Sequence, residues 1–244
     1  MAVLVMRMPK VLPRETEYSA RVLQWANCVS RLLSGALMDV YVGQDRRHWS
    51  LHYNLLCHHS DYFEDHCAKD GKKPNTKVDL PEDDPRAFEL LVKWLYQGKI
   101  DDVANMSLEK KWEYAEACQK LYVLCDRINL PQLKNHAIDQ FRRGCFDAGL
   151  VPGPEEMKPI YERSPPSSPF RKLVSRIAAR QIMDPEGEND AQMYRMCFES
   201  NPDFAVDVIN AIKEGAGCKL LEDPTEEIGC VYHVHENGQN CGVA

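Results

Sequence analysis

Residues Lys77–Gly98 read KVDLPEDDPRAFELLVKWLYQG and contain the clearest helix start in the chain. Asp83-Asp84 offers an N-cap, and Pro85 falls at the first helical position, where its missing N–H costs nothing. Apolar residues then recur at i, i+3, i+4 and i+7, and Gly98 ends the pattern; they are Phe88, Leu91, Val92 and Leu95. The segment therefore predicts a short strand over Lys77–Leu80 followed by an amphipathic helix.

The stretch before this helix predicts a hairpin and two short helices. Met38–Val42 is a first strand, Gly43–Arg46 is a turn, and His48–Leu51 can pair back as a second strand. Two short helical runs follow, over His52–Cys57 and Ser60–Cys67.

Several separate motifs in this region occur in one order. They are an Asp-aliphatic strand at Asp39, His-x-x-Leu-Leu from His52, Ser-x-Tyr-Phe from Ser60, Leu-Pro-Glu-Asp-Asp-Pro from Leu80 and Trp-Leu-Tyr-x-Gly from Trp94. Together they resemble the BTB/POZ domain over about 37–145, in wording most similar to the BTB proteins of filamentous fungi. The resemblance implies an α+β fold, in which a short mixed sheet is flanked by a cluster of helices, and a protein-interaction domain instead of an enzyme.

The composition limits the function classes. The net charge of the 244 residues is −7 and the basic residues are scattered, so direct binding to nucleic acid is not expected. No run approaches the roughly 18 apolar residues of a membrane helix, and the apolar start at 1–6 is too short for a signal peptide. The ten cysteines lack a compact disulfide spacing. These features predict a cytoplasmic or nuclear protein with reduced thiols.

The chain divides into four predicted parts: a leader with an N-terminal helix over 1–36, the BTB/POZ domain over 37–145, an all-α extension over 146–217, and a linker with a Cys/His-rich tail over 218–244. After Gly98, helices are predicted at 107–124 and from Pro131, and the pattern breaks near 144–154. The extension's predicted helices are Glu155–Glu162, Pro169–Met183, Asp190–Ser200 and Pro202–Gly215.

An amphipathic helix is predicted over Glu15–Leu33. Its apolar face includes Val22, Trp25, Val29 and Leu32. This face packs either on its own domain or on a second copy of the chain, because an amphipathic stripe does not name its partner. The BTB resemblance favours a homodimer, since many BTB domains dimerise through a helix in front of the first strand.

The resemblance also implies a partner-binding surface. Its residues here are Asp39, His52, Tyr53, Tyr62 and Phe63. A buried Asp or His must be hydrogen-bonded, so Asp39 either makes a charged contact in the dimer groove or caps local backbone. For His52, capping of local backbone is the favoured interpretation.

The C-terminal tail contains a candidate zinc site at Cys230, His233, His235 and Cys241. Structural zinc prefers four such nitrogen and sulfur ligands. On a strand the two histidines would point to the same side, and an Asn237-Gly238 turn would bring Cys241 back toward them. The alternative is a tail with incidental Cys and His. A second cluster, Cys57-His58-His59 with His66-Cys67, is not interpreted as a metal or catalytic site, because neighbours along a helix point in different directions.

The predicted function is self-association, recruitment of partner proteins, or both. One specific version is a substrate adaptor of a cullin-type ubiquitin ligase, which in the family uses the two short helices, here 53–67, and a hydrophobic-x-Glu motif before the third strand. Residues 68–76 read AKDGKKPNT and lack that motif, which weakens this version. A transcription or chromatin co-factor acting through a partner is a further alternative. No phosphate loop, nucleophile elbow or zinc-protease motif indicates an enzyme.

Overall fold

The computed structural model describes residues 29–68, 76–215, 223–226 and 229–235. The chain groups into two compact units. The first contains the residues up to Asp101 together with Arg127–Leu133, and the second contains Asp102–Asp126 and everything from Lys134 onward. The chain therefore passes between the units three times.

The first unit is built on a three-stranded mixed sheet in the order β2-β1-β3. Its strands are β1 (Leu37–Val42), β2 (Arg47–His52) and β3 (Lys77–Leu80). β1 pairs with β2 antiparallel and with β3 parallel. Because strand side chains alternate between faces, Met38, Val40 and Val42 are fully buried, while Asp39 and Tyr41 lie on the opposite, more exposed face.

Besides the helical residues 29–32, the described part of the first unit contains the helices α1 (Tyr53–His59), α2 (Asp61–Ala68) and α3 (Pro85–Gln97). The α3 helix begins and ends as its sequence predicts. The Asp84 side chain accepts hydrogen bonds from the backbone N–H groups of Arg86 (2.8 Å) and Ala87 (3.3 Å). At the other end Gly98 has a φ of 70°, the left-handed conformation that glycine adopts without a Cβ penalty.

The second unit is helical. Its described residues include a 3₁₀ turn at Val103–Asn105 and most or all of the α-helices α4 (Leu108–Arg127), α5 (Pro131–Ala148), α6 (Pro154–Arg163), α7 (Pro169–Met183), α8 (Arg195–Ser200) and α9 (Pro202–Glu214). Phe170 lies between Tyr122 and Phe141, with ring centroids 4.7 Å and 5.0 Å away, and all three are fully buried. Gly144 of α5 lies so close to α4 that a Cβ there would be 2.8 Å from the Cβ of Ala115.

The predicted fold class is confirmed: a small mixed sheet with helices, followed by further helices. Two local predictions are wrong. The helix expected from Asp190 begins only at Arg195, because the backbone from Asp190 to Arg195 makes i to i+3 turns and the Asp190 carboxylate accepts the Gln192 N–H. Residues 229–235 of the tail form turns and irregular backbone instead of a strand.

The two compact units do not divide at 145/146, where the sequence predicts that the BTB/POZ domain ends and the helical extension begins. Helices α4 and α5, which close the predicted BTB region, contribute most of their residues to the same unit as α6–α9. The four predicted parts therefore stay a prediction. Among the helices of the described ranges, none combines the length and the apolar character that crossing a membrane requires.

Candidate protein-interaction surfaces

The more exposed face of the sheet contains a hydrogen-bonded polar cluster around Asp39. One oxygen of its carboxylate, Oδ1, accepts a hydrogen bond from the Ser50 hydroxyl (2.6 Å) and lies 2.8 Å from His48 Nε2. These bonds, first from Ser50 and then from His48, lower the pKa of Asp39. The cross-strand pairing of Asp39 with Ser50 places the groups side by side.

The cluster has the residue types of a catalytic triad but not its geometry. The Ser50 hydroxyl donates to Asp39, whereas a nucleophilic serine gives its proton to an imidazole. His48 Nε2 contacts the same Asp39 oxygen and is 3.4 Å from Ser50. Asp39 is thus a partly exposed anion held in place by its neighbours, which suits a charged contact with a partner. Two roles are predicted for Asp39, a charged contact with a partner and a cap of local backbone, and this geometry does not fit the cap.

Aromatic and basic side chains extend this surface along β1. The Tyr41 ring stacks on His48, with centroids 4.8 Å apart. The Arg46 guanidinium lies 4.8 Å from the centre of the same ring, and the Lys77 ammonium 5.3 Å away. Arg46 also pairs with Asp79 at 2.7 Å. Arginine and tyrosine are enriched where proteins bind each other, so the face has a composition that a protein partner can use.

His52 has a different role from the predicted cap. The helix α1 begins directly after it, but its side chain makes no capping hydrogen bond. Its Nδ1 lies instead 2.8 Å from the Tyr96 hydroxyl, which also accepts the His52 backbone N–H at 3.3 Å. The capping prediction for His52 is therefore wrong: the side chain connects the end of β2 to α3.

Helices α1 and α2 present part of the predicted partner surface. Tyr53 and Tyr62 are half-buried at the surface, and the Tyr62 ring is nearly parallel to that of His66, with centroids 6.1 Å apart. Phe63 has no exposed area and packs edge-on against Tyr62. A partner can reach Tyr53 and Tyr62 in this structure, whereas Phe63 contributes to the core beneath them.

The segment in front of β1 is fixed to α1. The Asn54 side-chain amide donates to the carbonyl oxygens of Arg31 (3.0 Å) and Ser34 (2.8 Å). Of the predicted dimer helix, residues 29–32 are helical; Val29 is half-buried and Leu32 is buried. Val22 and Trp25 lie outside the described residues.

Two leucines of this region remain at the surface. Leu33 is 37% exposed and Leu37 is 50% exposed. They flank the turn that joins the helical residues 29–32 to β1, where the residues are otherwise small or polar.

The Cys57-His58-His59 cluster is a packing feature. The His59 ring lies edge-on against Trp94, with centroids 4.9 Å apart, and burial lowers the pKa of His59 to about 4. Burial also raises the pKa of the Cys57 thiol, which makes it a weaker nucleophile at neutral pH. The expectation that the cluster carries no chemistry stays a prediction.

Three of the four predicted metal ligands converge in the tail. The candidate ligand atoms of Cys230, His233 and His235 lie within 4.8 Å of one another. Cys241 is outside the described residues. His233 Nε2 is 2.9 Å from both carboxylate oxygens of Asp139 on α5, and this hydrogen bond raises the pKa of His233.

Sequence reasoning missed the α5 residues that hold this tail. Asn135, Asp139 and Arg142 follow one another at i, i+4 and i+7, so they share one face of α5. The Asn135 amide both donates to the Val234 carbonyl (3.0 Å) and accepts from its N–H (2.9 Å). The sequence does contain a signal, because these polar residues form a stripe on a helix that is expected to be buried. The tail that they contact, however, lies about 100 positions further along the chain, so the sequence does not indicate the pairing.

The second unit also contains a cavity of about 380 Å³. Its wall includes Cys145, Ile177 and the ion pair between Arg180 and Asp223, whose atoms are 2.8 Å apart. Burial raises the pKa of the Cys145 thiol to about 12, so this thiol stays protonated. The wall of the cavity thus contains an ion pair whose two charges neutralise each other and a thiol that does not ionise at neutral pH.

Comparison with known proteins identifies the class of the sheet-containing region. Residues 30–141 match the family model of the BTB/POZ domain. Among solved structures, the human gigaxonin BTB domain is similar at 14% identity and a TM-score of 0.33, over 55% of this chain and 98% of that one. The zebrafish PATZ1 BTB domain is similar at 15% identity and a TM-score of 0.34, over 53% and 96%.

The chain therefore contains a BTB/POZ domain, which is a protein–protein interaction module. The comparison with curated proteins finds no match. The similarity to fungal BTB proteins accordingly stays a prediction.

Proposed function

We propose that this chain is an interaction protein that self-associates through the N-terminal edge of its BTB/POZ domain. The observation that carries the proposal is the exposure of Leu33 and Leu37 on either side of the turn before β1. Each additional square ångström of apolar surface that a second copy covers is worth roughly 25 cal/mol. The Asn54 hydrogen bonds hold this segment on α1, so its presentation needs little further ordering.

The charged residue of the predicted dimer groove fits the same proposal. Asp39 is on β1, two positions beyond Leu37, and its ionised form is stabilised by Ser50 and His48. A fixed, partly exposed carboxylate beside apolar side chains gives an interface electrostatic specificity as well as area.

The test is the mass of the full chain in solution by sedimentation equilibrium over a range of concentrations. We expect a mass of two chains for the wild type and of one chain for the Leu33→Asp/Leu37→Asp double variant. Leu108→Asp is the matched control: Leu108 is 65% exposed and begins α4, where the helix dipole favours an acidic residue. A wild-type mass of one chain at every concentration, or a double variant that stays dimeric, would refute the proposal.

A second candidate function is the adaptor of a cullin-type ubiquitin ligase. Tyr53 and Tyr62 favour it, because both are partly exposed on the two short helices that adaptors of this family are expected to use. Calorimetric titration with a purified cullin N-terminal domain tests it. We expect micromolar or tighter binding that Tyr62→Glu abolishes and that the control Lys110→Glu, at an exposed position of α4, leaves unchanged. No heat of binding with a folded chain would exclude this role.

The location of the protein is part of the proposal. Cys118, Cys125, Cys145 and Cys197 are buried as thiols, which agrees with a reducing compartment. We propose the cytoplasm or the nucleus, and imaging of a tagged full chain distinguishes the two. An exclusively nuclear location would favour a transcription or chromatin co-factor that reaches DNA through a partner. That the chain has no enzymatic activity stays a prediction.

A further inference from the structure

We propose that this chain binds one zinc ion through Cys230, His233 and His235, and that Asp139 on α5 positions His233 for the metal. The site lies in the second unit and is independent of the proposed self-association. The metal joins three side chains of the segment 230–235 to one another, and the hydrogen bond from His233 to Asp139 links that segment to α5.

The first observation is the convergence of the three side chains. One ligand atom from each of Cys230, His233 and His235 lies within 4.8 Å of the other two. Atoms bound to one zinc ion at about 2.0–2.3 Å in a tetrahedron are roughly 3.3–3.7 Å apart. Closing the separations from at most 4.8 Å to these values needs a contraction of up to about 1.5 Å, and rotation about the side-chain bonds of Cys and His supplies a movement of that size.

The second observation is the orientation of His233. Its Nε2 is 2.9 Å from each oxygen of the Asp139 carboxylate, so Nε2 carries the proton and donates it. In the neutral imidazole, Nδ1 is then the nitrogen that can coordinate a metal. An imidazole that donates from one nitrogen to a carboxylate and coordinates through the other is typical of zinc-binding histidines. The His233 side chain is only 9% exposed, which limits competition from water.

The third observation is the rigidity of the backbone that carries the ligands. Asn135 makes two hydrogen bonds to the backbone of Val234, the residue between the two histidines. The His233 N–H donates to the Cys230 carbonyl at 3.1 Å, which closes a turn and brings the thiol toward the imidazole. A site whose ligands are held before the metal arrives binds it at a smaller entropic cost.

Tyr232 anchors the same turn in the core. It has no exposed area, the Arg176 guanidinium donates to its hydroxyl at 2.7 Å, and Arg142 lies 4.9 Å above its ring. Cys230 and His233 therefore extend from a buried anchor, which fixes their separation.

The ligand types select the metal. A thiolate with two imidazoles is the nitrogen and sulfur set that zinc prefers, whereas magnesium and calcium prefer oxygen ligands. Three protein ligands leave one position of a tetrahedron. Cys241, the fourth ligand predicted from the sequence, is outside the described residues and is not part of the proposal.

The experiment measures zinc in the full chain. Purified protein is stripped with a chelator, reloaded with zinc, desalted and analysed by elemental mass spectrometry. We expect one zinc per chain for the wild type and none for Cys230→Ser or His233→Ala. Cobalt(II) titration gives an independent readout: the wild type should show a thiolate-to-cobalt charge-transfer band that Cys230→Ser removes.

The controls separate this site from the other cysteines and histidines. The double variant Cys57→Ser/His58→Ala changes an adjacent Cys and His on α1 and should keep one zinc. Asp139→Ala tests the positioning residue: we expect zinc affinity, measured by chelator competition, to fall about 10–100-fold. The thermal midpoint of its metal-free form should stay near that of the metal-free wild type. Zinc content equal in wild type and Cys230→Ser, or an unchanged affinity in Asp139→Ala, would overturn the proposal.

Discussion

The imidazole of His59 packs edge-on against the indole of Trp94, and this contact decides its protonation state. Burial disfavours the charged ring, and the neighbouring His58 adds to the effect, so the pKa falls from 6.5 to about 4. His233 shows the opposite case, since its hydrogen bond to Asp139 raises its pKa. Two histidines of one chain thus differ in charge at mildly acidic pH because of what each one contacts.

The shift of His59 predicts a pH dependence of stability. Between pH 6.5 and pH 4 the unfolded chain holds a proton at this site that the folded chain does not, so the free energy of unfolding falls as the pH decreases. The slope is at most about 1.4 kcal/mol per pH unit, and partial exposure reduces it. We expect His59→Phe, which keeps an aromatic ring against Trp94, to lose about 1 kcal/mol less stability between pH 7 and pH 5 than the wild type.

Denaturant unfolding followed by tryptophan fluorescence at the two pH values measures this difference. His66→Gln, on α2, is a control that should behave as the wild type. NMR titration of the His59 ring gives the pKa directly, and a midpoint near 6.5 would contradict the packing argument.

The α3 helix shows how much local sequence determines an element. Its N-cap, its first-position proline and its C-terminal glycine lie within the helix or next to it, so the sequence alone predicts both ends. The same holds for α7 and α9, where Ser168 and Asn201 cap helices that begin with proline. The irregular start before α8 could not be predicted in this way, because Asp190 offers its carboxylate to the backbone and competes with helical bonding.

The α3 cap gives a prediction at this scale. Asp84→Ala removes the acceptor for two backbone N–H groups, and we expect the free energy of unfolding to fall by about 0.5–2 kcal/mol. Asp84→Asn is the matched variant, since it keeps an oxygen acceptor and loses only the charge, and its loss should be clearly smaller. Chemical denaturation monitored by circular dichroism measures both. Equal losses in the two variants would mean that charge, not capping, stabilises this end.

At the scale of the whole molecule, the segments that form the two units alternate along the sequence. Residues 127–133, which comprise the last residue of α4, the link 128–130 and the first turn of α5, belong to the first unit, although the rest of both helices belongs to the second. The sequence predicts the helices of this region from their starts and apolar faces, but not which unit each one joins. The tail shows the same limit. The sequence reveals its candidate metal ligands, but their attachment to α5 depends on contacts between positions that are far apart in the chain.

Removal of the C-terminal helices should therefore destabilise the end of the BTB/POZ region. Without Phe170, the rings of Tyr122 and Phe141 lose a buried aromatic partner. We expect the fragment 29–148 to unfold at a lower temperature than the full chain and to bind a dye that fluoresces on apolar surfaces. Thermal unfolding with light scattering measures this, and a fragment as stable as the full chain would support the predicted division at 145/146 instead.

A point variant of the full chain also tests how much the contact between Phe170 and the BTB/POZ region contributes to stability, without removing the C-terminal helices. Phe170→Ala should cost about 3–5 kcal/mol, because Phe170 is fully buried. Phe146→Ala, at a position that is 51% exposed, is the control and should be nearly neutral.

The return of residues 127–133 to the first unit also has a consequence for biosynthesis. Ile128, Leu130 and Leu133 are buried residues of that unit, yet Leu133 leaves the ribosome roughly 30 residues after Asp101. Because translation adds roughly 5–20 residues per second, roughly 2–6 seconds pass between the synthesis of Asp101 and the synthesis of Leu133. During that interval, apolar surface of the first unit that these residues later cover is exposed on the nascent chain. A chaperone can therefore bind the protein during this stage of translation.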